Sequence, residues 1–269
     1  MRIDLHLHSA ASDGCLAPAA LARAAGAAGL DLIALTDHDT TAGVAEAVAA
    51  TPPGLTILAG IEVTSTYAGT DLHILGYLVD PAHPILTGFA AAAHARRVDR
   101  MHGMIHRLQG LGIPIDFEEV VAAAGGVVGN LGRPHLARVL VERGVVESLQ
   151  AAFDDYLGDG RPAYLPVELA TPREAIDLIR GAGGIAVWAH PPLDVLEAEL
   201  GRFIAWGLEG LECRRPRRLA TEVKRLVRTA RRHGLLITGG SDWHDPSNGA
   251  LGEFHLSGAE VAGFLERCG

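Results

Sequence analysis

Residues 3–8 read Ile-Asp-Leu-His-Leu-His, a short apolar run in which one leucine separates two histidines. Successive residues of a β-strand point to opposite faces, so His6 and His8 share a face and can reach one metal ion. Five later strand-like runs also contain His, Asp or Glu residues, the types that bind metal ions. We predict that these five runs and the first one place such residues at or near their carboxyl ends. These residues are His6, His8, Asp37, His38, Asp39, Glu62, His73, His190, Asp242 and His244.

Segments with helical spacing lie between these runs, and the alternation predicts a mostly parallel α/β fold. The clearest helix start is Thr171-Pro172, a capping residue followed by proline at the first helical position. The middle of the chain departs from the alternation, with helical patterns and no convincing strand. We therefore expect a first barrel part over 1–88, a helical insertion over 89–164 and a second barrel part over 165–269. The helical patterns of the insertion are Phe89–Leu111, Phe117–Ala124, Pro134–Arg143 and Glu147–Tyr156.

The composition is that of an ordinary globular protein: 269 residues, of which 48% are hydrophobic and 20% are charged. No apolar run approaches the roughly 18–20 residues of a membrane helix, and no secretory leader precedes Ile3, so we expect no membrane segment. The three cysteines are far apart and form no CxxC pair, which favours a reducing cytoplasm. A net charge of −9 disfavours long nucleic acid as a partner but permits small phosphorylated substrates.

The residue types at the predicted strand ends indicate a metal centre, because barrel-type α/β folds assemble their active sites at that end. Neutral imidazoles and carboxylates bind Zn²⁺, Mn²⁺ or Fe²⁺ without sulfur ligands. The candidate ligands exceed what one tetrahedral ion uses, which predicts two or three ions. Taken singly, some have ordinary explanations: Asp13 suits a turn in Ser12-Asp13-Gly14, and Asp242 suits a helix cap.

The chain resembles the PHP (polymerase and histidinol phosphatase) family in seven motifs that follow one another in order. They are His6-x-His8, Ser12-Asp13-Gly14, Thr36-Asp37-His38-Asp39-Thr40, Gly60-Ile61-Glu62, His73, His190-Pro191 and Gly240-Ser241-Asp242-x-His244. The resemblance implies a fold of the α/β class, a distorted (β/α)7 TIM-like barrel with a helical insertion domain. It also implies a centre of three divalent metal ions that hydrolyses phosphate esters.

The same resemblance implies how the metal ligands divide. One ion would lie on His6, His8, Glu62 and Asp242. Glu62 would bridge to a second ion, completed by His73 and His190. Asp13, His38 and His244 would hold the third ion.

The expected nucleophile is a metal-bridging hydroxide positioned by Glu62 and Asp242, because coordination lowers the pKa of water to about 7. The third ion would orient the phosphoryl oxygens. Manganese is the expected metal, and zinc and iron are the alternatives, since all three accept nitrogen and oxygen ligands. We expect no phosphoenzyme, because Ser9, Ser12 and Ser241 lack the paired base that a nucleophilic serine requires.

Within the family, the chain is similar to standalone 3′,5′-nucleoside bisphosphate phosphatases and related 5′→3′ exoribonucleases. The similar segments are Arg97-x-x-Arg100, Gly132-Arg133-x-His135-x-Ala137-Arg138 and Gly160-Arg161-Pro162-Ala163-Tyr164. The resemblance implies that the insertion contacts the phosphates of the substrate, and the candidate residues are Arg97, Arg100, Arg133 and His135.

Two features leave the details of the substrate open. Arg133 and His135 have an ordinary alternative, a solvated arginine beside a capping histidine. Pro192-Leu193 and the basic run Arg214–Arg218 both depart from the family pattern near the predicted pocket mouth. The longer run Arg214–Arg232 holds nine of the 23 Lys and Arg residues. A solvated face of an amphipathic helix explains that run better than a nucleic-acid patch does.

We therefore predict a metal-dependent phosphatase that removes the 3′-phosphate of nucleoside 3′,5′-bisphosphates. A 5′→3′ exoribonuclease acting on short 5′-phosphorylated oligonucleotides is the first alternative. Histidinol phosphate is a third substrate, which the arginines of the insertion disfavour because they suit a ligand with two anionic groups. A metal-binding scaffold without turnover is the non-enzymatic alternative.

Overall fold

A sheet of eight strands forms the centre of the molecule and curls into a nearly closed barrel. The computed structural model describes residues 1–126, 131–166 and 170–269, apart from the side chain of Asn248. In chain order the strands are β1 (Arg2–Leu7), β2 (Leu32–Leu35), β3 (Thr56–Tyr67), β4 (Thr70–Tyr77), β5 (Ile185–Trp188), β6 (Gly210–Arg214), β7 (Leu236–Gly239) and β8 (Leu256–Ser257). Their order in the sheet is β7-β6-β5-β4-β3-β2-β1-β8.

The barrel closes between the first strand and the segment that follows β7. Leu7 forms a parallel bridge with Trp243, and the backbone N–H of His8 donates to the Trp243 carbonyl at 3.1 Å. The two-residue strand β8 pairs with the start of β1 in the antiparallel direction. This arrangement confirms the predicted TIM-like α/β barrel, with β1 to β7 as its wall.

The direction of β4 corrects one expectation about the site. A two-residue turn, Ala68-Gly69, joins β3 and β4, and both residues have positive φ angles of 50° and 82°. Such a turn matches the twist of paired antiparallel strands, so β4 runs against β3 and also against β5. His73 therefore lies in the amino-terminal half of its strand, not at the carboxyl end, and the antiparallel pairing places it beside Glu62 of β3.

In the part of the chain that the structure describes, six α-helices pack around the barrel: α1 (Pro18–Ala27), α2 (Val44–Ala49), α7 (Pro172–Gly181), α8 (Leu193–Ala205), α9 (Ala220–Arg232) and α10 (Ala262–Leu265). Helix α7 begins at the predicted point, and Thr171 and Glu174 cap each other through two backbone contacts of 3.3 and 2.7 Å. It buries Ile176 and Ile179 against an apolar cluster that includes Ile61 of β3.

Among the described residues between β4 and α7, four helices form a separate layer: α3 (Pro84–Gly110), α4 (Phe117–Ala123), α5 (Arg133–Glu142) and α6 (Leu149–Ala152). They share their own apolar cluster, which includes Met104, Leu108, Val120, Leu136 and Leu140. Among the residues described between 84 and 161, no strand occurs, as predicted.

The helix boundaries of this layer differ from the predicted ones at two points. Helix α3 begins at Pro84 rather than at Phe89, because His83 caps it and the proline suits the first turn. Helix α6 is short and continues as one wider turn over Phe153–Leu157. The division into 1–88, 89–164 and 165–269 stays a prediction, and its first boundary falls inside α3.

No helix in the described ranges combines the length and the apolar character needed to cross a membrane.

Candidate metal centre

All nine predicted metal ligands meet at one end of the barrel. His6 lies on β1 and His8 just after it, Glu62 and His73 lie on the neighbouring strands β3 and β4, and Asp13 lies in the loop after β1. His38, His190, Asp242 and His244 come from the segments that follow β2, β5 and β7. The cluster is thus built from the ends of β1, β2, β5 and β7 and the segments after them, from Glu62 and His73 inside β3 and β4, and from Asp13 in a loop; β3 continues to Tyr67, so Glu62 does not end its strand as we expected.

The carboxylate of Glu62 occupies the middle of this cluster and is completely buried. Its Oε2 atom lies 3.2 Å from each of three ring nitrogens, those of His6, His8 and His38. Its Oε1 atom lies 3.0 Å from His73 Nδ1 and 3.1 Å from His190 Nε2. One carboxylate that faces two sets of imidazoles has the geometry of a bridging ligand.

Among the described residues, three groups of ligand atoms are close enough to surround an ion, with all atoms of a group within 4.8 Å of one another. They are His6, His8, Glu62 and Asp242; His8, Asp13, His38 and His244; and His38, Glu62 and His73. The first group is the ligand set predicted for the first ion. The second group contains the set predicted for the third ion, Asp13, His38 and His244, together with His8. In the third group His38 accompanies Glu62 and His73, while His190 approaches the same Glu62 oxygen that His73 contacts.

The donor atoms of this cluster fit divalent cations. His6 Nε2, both ring nitrogens of His8 and Glu62 Oε2 are buried, and none makes a well-formed hydrogen bond with a described residue. Each such buried atom without a partner costs about 1–3 kcal/mol. Divalent cations such as Zn²⁺, Mn²⁺ and Fe²⁺ can satisfy imidazole nitrogens and carboxylate oxygens together.

The carboxylates of the centre are ionised in these surroundings. Burial alone would raise the pKa of Glu62, but the imidazoles around it, led by His6, hold that pKa well below its usual range. Burial is likewise outweighed at Asp13, whose pKa is held low mainly by His244 and His38. The pKa of Asp242 is held low mainly by His6. Ionised carboxylates are the form that binds metal ions.

The backbone at the strand ends is held in an uncommon conformation. Asp39, His190 and Asp242 have positive φ angles of 57°, 30° and 55°. Positive φ is uncommon for residues with a Cβ atom and concentrates at functional sites. A Cβ atom on Gly240 would lie 2.4 Å from the His6 backbone nitrogen, so glycine is needed where β7 ends against β1.

Glu212 is a member of the site that the sequence analysis did not single out. It is completely buried on β6, where Oε1 accepts a hydrogen bond from His6 Nδ1 at 2.8 Å and Oε2 accepts one from the His190 backbone N–H at 2.7 Å. With its Nδ1 proton directed at Glu212, His6 presents the lone pair of Nε2 to the centre. The available signal was an acidic residue inside the buried run Gly210-Leu211-Glu212-Cys213.

The structure places Arg97 in a buried ion pair. Its Nε donates to Asp39 Oδ2 at 3.0 Å, and its Nη2 donates to the same oxygen and to Thr64 Oγ1. Arg97 belongs to α3, whereas Asp39 follows β2, so the pair fastens the helical layer to the barrel beside His38. These contacts use guanidinium N–H groups of Arg97 that we expected to bind the phosphate of the substrate.

Arg100 and Arg133 line a cavity that leads away from the metal cluster. The cavity is open to solvent on one side and has a volume of about 160 Å³, room for roughly five water molecules, and its walls also include Asp13, His38 and His73. Arg100 is 8% exposed, and its Nη2 atom is buried without a hydrogen-bond partner among the described residues. Burial lowers the pKa of Arg100 to about 10, which leaves it charged at neutral pH.

Arg133 lies between carboxylates and aromatic rings. Its Nη1 donates to Asp159 at 2.8 Å, and its Nη2 is 3.5 Å from Asp71. Its guanidinium carbon lies 5.4 Å from the centre of the Tyr164 ring and 5.8 Å from that of Phe153. These contacts hold Arg133 at the cavity wall and do not match the alternative of a fully solvated side chain.

His135 is buried and neutral. Its Nδ1 accepts a hydrogen bond from the Gly132 backbone N–H at 3.0 Å, which closes the first turn of α5. Burial lowers the pKa of His135 to about 4. Because Nδ1 accepts, the ring proton lies on Nε2. His135 therefore caps the first turn of α5, which is the ordinary alternative given for it in the sequence analysis.

The basic loop after β6 also reaches the centre. Arg215 Nη2 lies 3.1 Å from Asp242 Oδ2, while Asp242 Oδ1 faces His6 and His8 at 3.4 and 3.3 Å. Arg214 pairs with Glu260 instead, and Arg218 donates to the Pro191 carbonyl. Part of the cluster 214–218 is thus used inside the molecule.

Comparison with known proteins agrees with this site. Residues 4–159 match the family model described as the PHP domain. The chain is 37% identical over 251 residues to a 5′-3′ exoribonuclease of Haemophilus influenzae, covering 91% of this chain and 90% of the relative. It is 36% identical over 253 residues to a 3′,5′-nucleoside bisphosphate phosphatase of Chromobacterium violaceum, covering 92% and 88%. A solved structure from Bifidobacterium adolescentis, described as a metal-dependent phosphoesterase, superposes with a TM-score of 0.88 at 35% identity, covering 98% and 96%. The chain belongs to the PHP domain family.

Proposed function

We propose that this hydrolase of phosphoric esters removes the 3′-phosphate from nucleoside 3′,5′-bisphosphates. The observation that carries the proposal is the cavity shared by the metal cluster and the arginines of the helical layer. Its walls combine two residues of the metal cluster, His38 and His73, with Arg100 and Arg133 of the helical layer. A substrate with one phosphate over the metal centre can place a second phosphate against the arginines.

The chain supplies the second phosphate with a suitable site. Arg100 is charged at neutral pH and has a buried Nη2 atom without a partner among the described residues. Arg133 approaches from α5 and is held by Asp159 and Tyr164. Guanidinium groups match phosphate oxygens in a bidentate way, and charge-assisted hydrogen bonds are about twice as strong as neutral ones.

We also propose that the nine clustered side chains hold three divalent ions, with Mn²⁺ as the metal. Such ions, when bound, lower the pKa of water, polarise phosphoryl oxygens and stabilise both the attacking and the leaving oxygen. Glu62 would link the ion sites, because its two oxygens face different imidazoles. Glu212 orients His6, and Arg215 holds the outer oxygen of Asp242, so that the inner oxygen faces the centre.

A second candidate is 5′→3′ hydrolysis of short 5′-phosphorylated RNA. The observation in its favour is the relative from Haemophilus influenzae, which is named for that activity and is as similar as the phosphatase from Chromobacterium violaceum. In this case the arginines would hold the 5′-phosphate while a diester lies over the metal centre.

Rates on two substrates separate these functions. Manganese-loaded protein is given adenosine 3′,5′-bisphosphate or a 5′-phosphorylated trinucleotide at equal concentration, and 3′-AMP serves as a control without the second phosphate. We expect the bisphosphate to be hydrolysed fastest and 3′-AMP to lose at least tenfold in kcat/KM. A tenfold advantage for the trinucleotide would reject the phosphatase and establish the exoribonuclease. Equal rates on the bisphosphate and 3′-AMP would show that the arginines do not bind a second phosphate.

A further inference from the structure

One carboxylate stands among the arginines of the substrate cavity. Asp71 is the second residue of β4 and lies two residues before His73. Residues two apart on a strand share a face and are separated by about 6.6–6.8 Å. Asp71 and His73 accordingly line the same cavity, together with Arg100 and Arg133.

The carboxylate of Asp71 is barely used within the protein. Its Oδ2 atom has one long contact, 3.5 Å to Arg133 Nη2. Its Oδ1 atom is buried and makes no hydrogen bond with any described residue. An ionised carboxylate offers about four acceptor positions, so most of this capacity is open.

Neutralising Arg133 does not explain Asp71. Arg133 has a nearer carboxylate in Asp159, at 2.8 Å, which lies on the outer side and is about half exposed. Asp71 favours the charged form of the buried Arg100 by raising its pKa against the effect of burial, but the same carboxylate repels a bound phosphate. Its presence in the wall indicates a ligand that also offers a neutral hydrogen-bond donor.

The position of Asp71 identifies that donor. Under the proposed function, the phosphorus of the reacting ester would lie over the cluster that contains His73, and the second phosphate would lie against Arg100 and Arg133. Asp71 contacts Arg133 and lies two residues from His73 on the same strand, so it borders the space that a sugar joining the two phosphates would occupy. On a ribose, the hydroxyl next to the 3′-phosphate is the 2′-hydroxyl.

We propose that Asp71 accepts a hydrogen bond from the ribose 2′-hydroxyl and so selects ribonucleotides over deoxyribonucleotides. The inference rests on the proposed function, since it assumes a nucleotide with its 3′-phosphate at the metal centre. Asp71 is a specificity-determining residue in this account. A hydrogen bond to a charged group contributes a factor of about ten to one hundred and fifty.

The test compares adenosine 3′,5′-bisphosphate with its 2′-deoxy analogue by kcat/KM, using the manganese-loaded full chain. We expect the native protein to prefer the ribonucleotide by at least tenfold. The variant Asp71→Ala should lower this preference to threefold or less, with most of the loss on the ribonucleotide. Asp159→Ala is the matched control, since it removes the other carboxylate from Arg133 and should leave the preference unchanged.

The outcomes separate specificity from structure. An equal loss on both substrates in Asp71→Ala would show that Asp71 merely holds Arg133, and it would overturn the inference. A reduced preference in Asp159→Ala would point to the same conclusion. If the native protein hydrolyses both bisphosphates at equal rates, the inference fails while the proposed function stands. If it hydrolyses neither, the proposed function itself fails.

Discussion

Replacing Glu212 by glutamine isolates the contribution of a residue that is buried behind the metal centre. The native carboxylate accepts hydrogen bonds from His6 Nδ1 at 2.8 Å and from the His190 backbone N–H at 2.7 Å. Glutamine keeps one oxygen and turns an NH₂ group toward the other donor, so one buried N–H loses its acceptor. That loss costs about 1–3 kcal/mol, or roughly 5- to 150-fold in an equilibrium constant.

We expect this cost to appear mainly in metal affinity, because both donors belong to candidate ligands. Changes to such supporting groups typically weaken metal binding by about 10- to 100-fold. Titration of metal-free protein with Mn²⁺ by calorimetry measures the effect, and thermal unfolding checks that the variant is folded. Glu209→Gln is the control, because Glu209 pairs with Arg267 away from the centre. Equal Mn²⁺ affinity in Glu212→Gln, Glu209→Gln and the native protein would refute the reasoning.

Three further predictions concern stability. Arg97→Met leaves the buried carboxylate of Asp39 without its ion-pair partner and should lower the free energy of unfolding by about 3–5 kcal/mol. Urea denaturation measures this loss, and a value below about 1 kcal/mol would contradict the importance of the buried pair. The pKa of His135 is about 4 in the folded protein and 6.5 in the unfolded chain. Between these values only the unfolded chain binds the proton, so lowering the pH from 7 to 5 should lower the free energy of unfolding by about 2 kcal/mol. His135→Gln should remove that part of the pH dependence, and an unchanged profile would exclude the role. Gly240→Ala places a methyl group 2.3 Å from His6 Cβ and should cost at least about 1–3 kcal/mol, seen as a lower Tm together with weaker Mn²⁺ binding; a native Tm would disprove the close approach.

Much of the metal cluster could be predicted because its residues are tied to local patterns. His6 and His8 follow strand alternation, His190 follows the buried run 185–189, and Asp242 lies three residues after β7. The carboxyl ends of parallel strands meet at one edge, so the chain order alone places these groups together. His73 was brought to the site by a different cause, the tight turn Ala68-Gly69, which reverses β4.

Residues that act through distant partners could not be predicted in this way. Glu212 lies inside a strand, and its function depends on His6, which is 206 positions away. Arg97 carries no local sign that Asp39 will hold it, since the pair forms only when α3 packs on the barrel. The proposed role of Asp71 likewise depends on Arg100 and Arg133, which α3 and α5 bring to the cavity. Tertiary packing decides such contacts, and sequence spacing does not record it.

The central claim is that the clustered histidines and carboxylates hold divalent ions that carry out hydrolysis of a bisphosphate. Its most direct test measures inorganic phosphate released from adenosine 3′,5′-bisphosphate while Mn²⁺ is added back to chelator-treated protein. The account predicts no release without metal and a rise that levels off near three equivalents per chain. Release that persists in the chelated protein, or that stays absent at every Mn²⁺ concentration, would contradict it.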